Sequence, residues 1–227
     1  MTRREILASI GILTLSGCLG NNSMDPPTKI PDGVVANAPI PENPNSVIYA
    51  TMGSLDNPTV TYYGNWKCPY CAQFSTDFLR DIVTDYVNKN AISLRFRALV
   101  YIDGQPFLGP DAPRAARAGL AVWNLDPRTY WKFHEYIFAN QPPERKRWAT
   151  VDRLVSYAKQ VGITATNQLR TKLKTKAYES LLQRTSQAAN RAGIEGTPAL
   201  VIGGETINPL GNRQRTRRLI DQLINES

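Results

Sequence analysis

Cys68 and Cys71, separated by Pro69 and Tyr70, are two thiols spaced to close and reopen a small disulfide ring. They follow a β-branched and aromatic run, residues 59–63, and precede an amphipathic stretch, so they stand where a strand passes into a helix. A cysteine in the first turn of a helix faces unpaired backbone N–H groups and the positive end of the helix dipole, which favour its thiolate. A thiolate attacks a disulfide, or leaves one, far more readily than a thiol does. Pro69 suits this place because its missing N–H costs nothing in a first turn. The chemistry so encoded is thiol–disulfide exchange.

Other uses of the pair fit less well. A zinc site normally needs four nitrogen or sulfur ligands, and the chain has three cysteines and one histidine, His134. Copper delivery wants further histidine or methionine ligands near the pair, and none is evident. A structural disulfide closing so short a loop would constrain little chain entropy. His134, alone on an aromatic-rich segment, reads as a packing residue. No metal is implied, and no dissociable cofactor either, because the dithiol is itself the redox centre.

The elements that must position the cysteines follow from periodicity. Short strands are predicted at 47–49 and 59–63, with a turn at 55–58 between them. Phe74, Phe78, Ile82 and Tyr86 recur at fours, which predicts one helix from Pro69 to about 88. Alternation over 91–101 predicts a second strong strand, followed by a Gly- and Pro-rich loop through Pro113. Helices are predicted at about 114–124, 127–140, 150–161 and 166–192, the last broken near 174–177. Asp126-Pro127 reads as a helix start. Residues 199–202 and 205–207 form a hairpin around Gly203-Gly204, where positive φ is needed. A helix over 212–225 closes the chain. The order strand, helix, strand, several helices, hairpin, helix gives an α/β fold with a small mixed sheet and a helical insert at about 106–192.

At 227 residues the chain suits one good-sized domain and an appendage. Its formal net charge of +8 comes from short groups at 145–147, 170–176 and 213–218, none interleaved with aromatics as a base-stacking platform would be. They read as solvated helix faces, and no nucleic-acid partner is inferred. The N-terminus carries Arg3-Arg4, an apolar run over 6–15, and then Leu15-Ser16-Gly17-Cys18. A basic start, a short apolar segment and small residues before a cut site mark residues 1–18 as a signal peptide. The paired arginines resemble a twin-arginine export signal. Leu-Ser-Gly-Cys resembles a lipoprotein lipobox, which implies that Cys18 becomes a lipidated N-terminus on the outer face of the cytoplasmic membrane. Two acyl chains suffice for stable anchoring. Residues 19–46, rich in Pro and Asn, read as a flexible tether, and 47–227 as the folded domain.

Cys68-Pro69-Tyr70-Cys71 after the first long strand, with Gly196-Thr197-Pro198 before the last hairpin, resembles the thioredoxin fold. The helical insert, and within it residues 130–141 (Tyr-Trp-Lys-Phe-His-Glu-Tyr-Ile-Phe-Ala-Asn-Gln), resembles the DsbA-like thiol–disulfide oxidoreductases, in a lipoprotein form. The resemblance implies that Cys68 is the attacking thiol, more exposed and more acidic, and that Cys71 resolves the mixed disulfide. It implies that Pro198 is the cis-proline facing the pair, with Thr197 presenting backbone to a substrate peptide by β-augmentation. Trp66, beside the pair, either shields the cysteines or touches substrate, and is counted with Thr197 and Pro198 as substrate-binding. Pro69 and Tyr70 form the active-site loop.

Two departures from the family pattern stand out. Tyr62 occupies the position, six before Cys68, where many relatives carry a buried acid that relays the proton of the resolving thiol. Tyr70 stands where the best-studied oxidases carry histidine, which implies a less oxidising couple. The function expected is exchange of the disulfide with cysteines of exported proteins, as an oxidase recycled by a quinone-linked membrane enzyme. The alternatives are a tethered reductase or isomerase fed by an electron-donating membrane protein, a thioredoxin-like factor for metal- or haem-protein maturation, or a non-catalytic holdase.

Overall fold

The computed structural model describes residues 31–227. The expected signal peptide, Cys18 and the first part of the expected tether lie outside these residues. The rest of that tether is no free linker. Val35, Ala36 and Ala38 are buried against the body, and the Gly53 N–H donates to the Pro39 carbonyl at 2.8 Å. Scattered apolar residues between the prolines find a surface here, so the packed domain starts well before residue 47.

Five strands form the main sheet in the order β1 (Thr51–Met52), β3 (Ser93–Ala98), β2 (Thr59–Gly64), β6 (Ala199–Ile202), β7 (Glu205–Ile207). β2 and β3 run parallel, and the other neighbours are antiparallel. The central place of β2 follows from its composition: Val60 and Tyr62 bury on one face, while Tyr63 buries on the other against Leu99 and Ala199. Gly203 and Gly204 both take positive φ in the β6–β7 turn, 55° and 86°, as a two-residue hairpin of this hand requires. The edge strand expected at 47–49 is found instead at β1, which begins four residues later. The long strand expected through Tyr101 ends at Ala98, and Tyr101–Ile102 (β4) pairs with Gln105–Pro106 (β5) as a separate hairpin.

The helix expected over 69–88 is divided. α1 (Pro69–Thr76) ends at Asp77, whose φ of −127° and ψ of −95° leave the helical region, and α2 (Phe78–Ile82) follows, continued by a π-helical turn at Val83–Val87. The Asp77 carboxylate pairs with Arg213, at the start of the C-terminal helix α8 (Arg213–Asn225). α8 also sends Arg217 to Asp81 and Asp85 and Arg215 to Glu205, so much of its basic run is spent on ion pairs.

Between β5 and β6 come α3 (Ala112–Leu125), α4 (Tyr130–Ala139), α5 (Val151–Gln160), α6 (Thr166–Lys174) and α7 (Glu179–Arg191). Thr150 caps α5, its hydroxyl accepting from the Arg153 N–H. The break between α6 and α7 ends at Tyr178, at φ +68°. Asp126-Pro127 makes a turn ahead of α4 instead of starting it. The Asp126 carboxylate takes the Thr129 hydroxyl, and α4 begins at Tyr130. Among the described residues no helix is long and apolar enough to cross a membrane.

Candidate active site

Cys68 is the N-cap of α1, in extended backbone conformation, with Pro69 at the first helical position. Both cysteines are free thiols, Cys68 3 % exposed and Cys71 fully buried. The Cys68 thiol donates to the Thr197 carbonyl at 3.3 Å, and the Thr197–Pro198 peptide is cis. On the other side the Asn65 N–H donates to Cys71 Sγ at 3.4 Å. The fold thus brings together Cys68, Cys71, Thr197 and Pro198 from segments about 130 residues apart. Pro69 and Tyr70 form the outer rim, Tyr70 being 62 % exposed.

The two sulfurs are electrostatically unlike. A hydrogen bond from Cys71 holds the Cys68 thiol down at about 6 against the opposing effect of burial, helped by the N–H groups of Cys71 and Tyr70. Burial and the neighbouring Cys68 push Cys71 well above the ordinary thiol range. Near neutral pH the site therefore holds one thiolate at the helix end and one protonated thiol behind it. That asymmetry makes Cys68 the nucleophile of the dithiol form.

Trp66 is buried beneath the cysteines. Its indole is 2 % exposed, stacks on Phe96 with centroids 5.6 Å apart, and donates Nε1–H to His134 Nδ1 at 3.3 Å. It backs the active-site loop from below, because Gly119 of α3 leaves room for its ring. His134 is wholly buried and burial lowers its pKa to about 3, so it stays neutral as Trp66's acceptor.

Three residues of the site went unnoticed in the sequence. Gln141, just beyond α4, donates its side-chain N–H to the carbonyls of Trp66 at 2.6 Å and Cys68 at 3.1 Å. It is the last residue of the segment that carried the DsbA-like resemblance, which was its available signal. Lys67, next to Cys68, is buried and pairs with Asp111, whose other oxygen takes the Ala149 N–H. Burial raises the Asp111 carboxyl, but Lys67 and that N–H outweigh it and hold it below its usual range. A lysine beside an active site reads as a solvated charge until its partner, 44 residues away, is seen. All three contacts tie the helical insert to the loop that carries Cys68.

A reactive thiol at the mouth of the helix that leaves a central strand, faced by a Thr-Pro loop, defines a thiol–disulfide oxidoreductase of thioredoxin type. A family model described as Thioredoxin matches residues 48–222, and the chain belongs to this family, in its DsbA-like branch with helices inserted. Disulfide bond formation protein D of Bacillus subtilis is 26% identical over 174 residues, covering 76% of each chain. A probable protein of the same name from Bacillus cereus is 28% identical over 166 residues, covering 71% of this chain and 74% of that one. The crystal structure of oxidised BdbD from Bacillus subtilis superposes with a TM-score of 0.70 at 25% identity, over 84% of this chain and 98% of that one.

Proposed function

We propose that the protein is an extracytoplasmic oxidase that passes the Cys68–Cys71 disulfide to cysteine pairs of exported proteins. A substrate thiolate attacks Cys68 Sγ, forming a mixed disulfide and releasing Cys71. A second substrate thiol then attacks the substrate sulfur of that bond, leaving the substrate oxidised and the enzyme as a dithiol. The observation that carries the reading is Cys68 capping the helix N-terminus against the cis Thr197–Pro198 loop, a setting in which its thiol is lowered to about 6. A thiol that stays ionised in the dithiol form stabilises that form, and a stabilised dithiol makes an oxidising couple.

The Thr197 backbone lies beside Cys68 and offers main-chain pairing to an extended peptide without reading its side chains. Trp66 shields the cysteines from behind. Reoxidation falls to a membrane partner, and the family resemblance points to a quinone-linked oxidase. Residues 1–18 and Cys18 supply export and a lipid anchor that keeps the domain near that partner. The name of the Bacillus subtilis relative, disulfide bond formation protein D, agrees with the oxidase direction.

The test is the reduction potential of the protein equilibrated against glutathione. The oxidase reading expects a value above about −200 mV, and a value below about −250 mV, near thioredoxin, assigns a reductase instead.

A further inference from the structure

Tyr62 holds the place of a buried acid but cannot work as one, since burial first, and then the facing Cys71, raise its phenol far above neutrality. Its hydroxyl is fully buried and makes no well-formed hydrogen bond, although the Cys71 sulfur lies within its reach. A buried donor left without an acceptor costs on the order of 1–3 kcal/mol, so its retention calls for a reason.

The direction of the ring gives one. Tyr62 and Gly64 project from the same face of β2, and the phenol lies along the strand toward the active-site end. A Cβ at Gly64 would come within 2.8 Å of both Cζ and Oη of Tyr62, and within 2.7 Å of Phe96. Gly64 has an ordinary φ, so what it provides is space. The hydroxyl occupies that space, and the N–H of the next residue, Asn65, donates to Cys71 Sγ at 3.4 Å. Phe74, one turn after Cys71 on α1, packs edge-on against the Tyr62 ring with centroids 5.0 Å apart. Strand and helix thus bring this O–H beside the Cys71 sulfur, the group it interacts with most strongly. The other titratable groups around it are Cys68 on α1, and Glu135 and His134 on α4.

We propose that Tyr62 is a catalytic hydrogen-bond donor to the Cys71 thiolate released when the Cys68–Cys71 disulfide opens, with Gly64 as the space that lets it reach. A thiol or disulfide sulfur is a poor acceptor, which is why the hydroxyl makes no well-formed bond to it in the dithiol form. A thiolate is a strong acceptor, so the bond tightens as charge develops, and it accelerates the step for that reason. In that step the attacking thiolate bonds to Cys68 Sγ, the Cys68–Cys71 bond breaks, and its electron pair passes to Cys71 Sγ. The attacking sulfur is oxidised and Cys71 reduced. Tyr62 keeps its proton, and the thiolate later takes one from water.

The inference rests on Cys68–Cys71 being the redox pair. That reading is tested separately, since without it the wild-type protein does not exchange with dithiothreitol at all. The experiment is stopped-flow opening of the oxidised protein by dithiothreitol, wild type against Tyr62→Phe, with thermal melting of both reduced proteins. We expect opening to slow about tenfold, the scale of one hydrogen bond to a charged sulfur. Melting of the reduced protein should be unchanged or raised, because Phe keeps the ring contacts and removes an unpaired hydroxyl. In a Cys68→Ser background, the pH of half-maximal alkylation of Cys71 should rise on Tyr62→Phe. An unchanged opening rate overturns the proposal. So does a large loss of melting temperature, which would mean that the hydroxyl has a structural partner in the reduced protein.

Discussion

Lys67 Nζ lies 2.5 Å from Asp111 Oδ1, both side chains buried, and the pair joins the residue before the attacking cysteine to the N-cap of the first inserted helix. The same ammonium donates to the Lys146 carbonyl at 3.1 Å, so one lysine gathers two parts of the insert onto the active-site loop. Removing one partner leaves the other charge buried and alone. We expect Lys67→Met to cost about 3–5 kcal/mol in urea unfolding, and Lys67→Met with Asp111→Leu to recover most of that loss. A single variant as stable as the wild type would mean the pair does not hold the insert.

Gly119 and Trp66 are matched in the same spirit. A Cβ at Gly119 would sit 1.8 Å from the Trp66 ring, closer than any real contact. Gly119→Ala must therefore move the indole or split α3 from the loop, and overpacking of this kind costs about 1–3 kcal/mol. Adding Trp66→Phe, which shortens the ring, should return part of the loss in the same unfolding measurement.

The acidity of Cys68 sets a pH profile. Alkylation by iodoacetamide should be half-maximal near pH 6, from the thiol held at about 6. The folded value is below the unfolded one, so the stability it gives the dithiol form is complete above the unfolded pKa, about 8.5, and is lost as pH falls through 6. Urea midpoints of the reduced protein should exceed those of Cys68→Ser more at pH 9 than at pH 5.

Glu135 runs the other way. Burial raises its carboxyl to about 7, although the Ser75 hydroxyl and Arg80 oppose the rise. Between about pH 4.5 and 7 the unfolded chain ionises while the folded one does not, so stability falls through that window and stays low above it. Glu135→Gln can keep a hydrogen bond to Ser75. It should match the wild type near pH 4 and exceed it at pH 8 by on the order of 2–3 kcal/mol, measured by denaturant unfolding.

The proposed anchor has its own check. Cys18→Ala should move the protein from the membrane to the soluble fraction on fractionation of expressing cells. A variant that stays with the membrane removes the lipid from the account.

The cysteine pair, the central strand and the glycine hairpin were legible because each is local. Two-residue spacing, β-branched runs and paired glycines act through neighbouring residues. The break of the first helix at Asp77 was hidden because apolar residues at fours continue past it, while the arginine that takes the Asp77 carboxylate comes 136 residues later. The packing of residues 35–38 is hidden from the sequence for a related reason. Prolines argue against helix and strand, but they do not prevent Val35 and Ala38 from lying in a groove that the rest of the chain provides.

The amino-acid order alone determined that two thiols would meet at a helix end, and hence that this protein performs disulfide exchange, because ring closure and helix-end electrostatics depend on a handful of consecutive residues. Tertiary structure decided which side chains surround those sulfurs. It turned Trp66 inward onto Gly119, brought Thr197 to Cys68, set Gln141 and Lys67 as ties to the insert, and laid Tyr62 over Gly64 toward Cys71. Such contacts join residues far apart in the chain, and their energies exist only once burial removes water from between them.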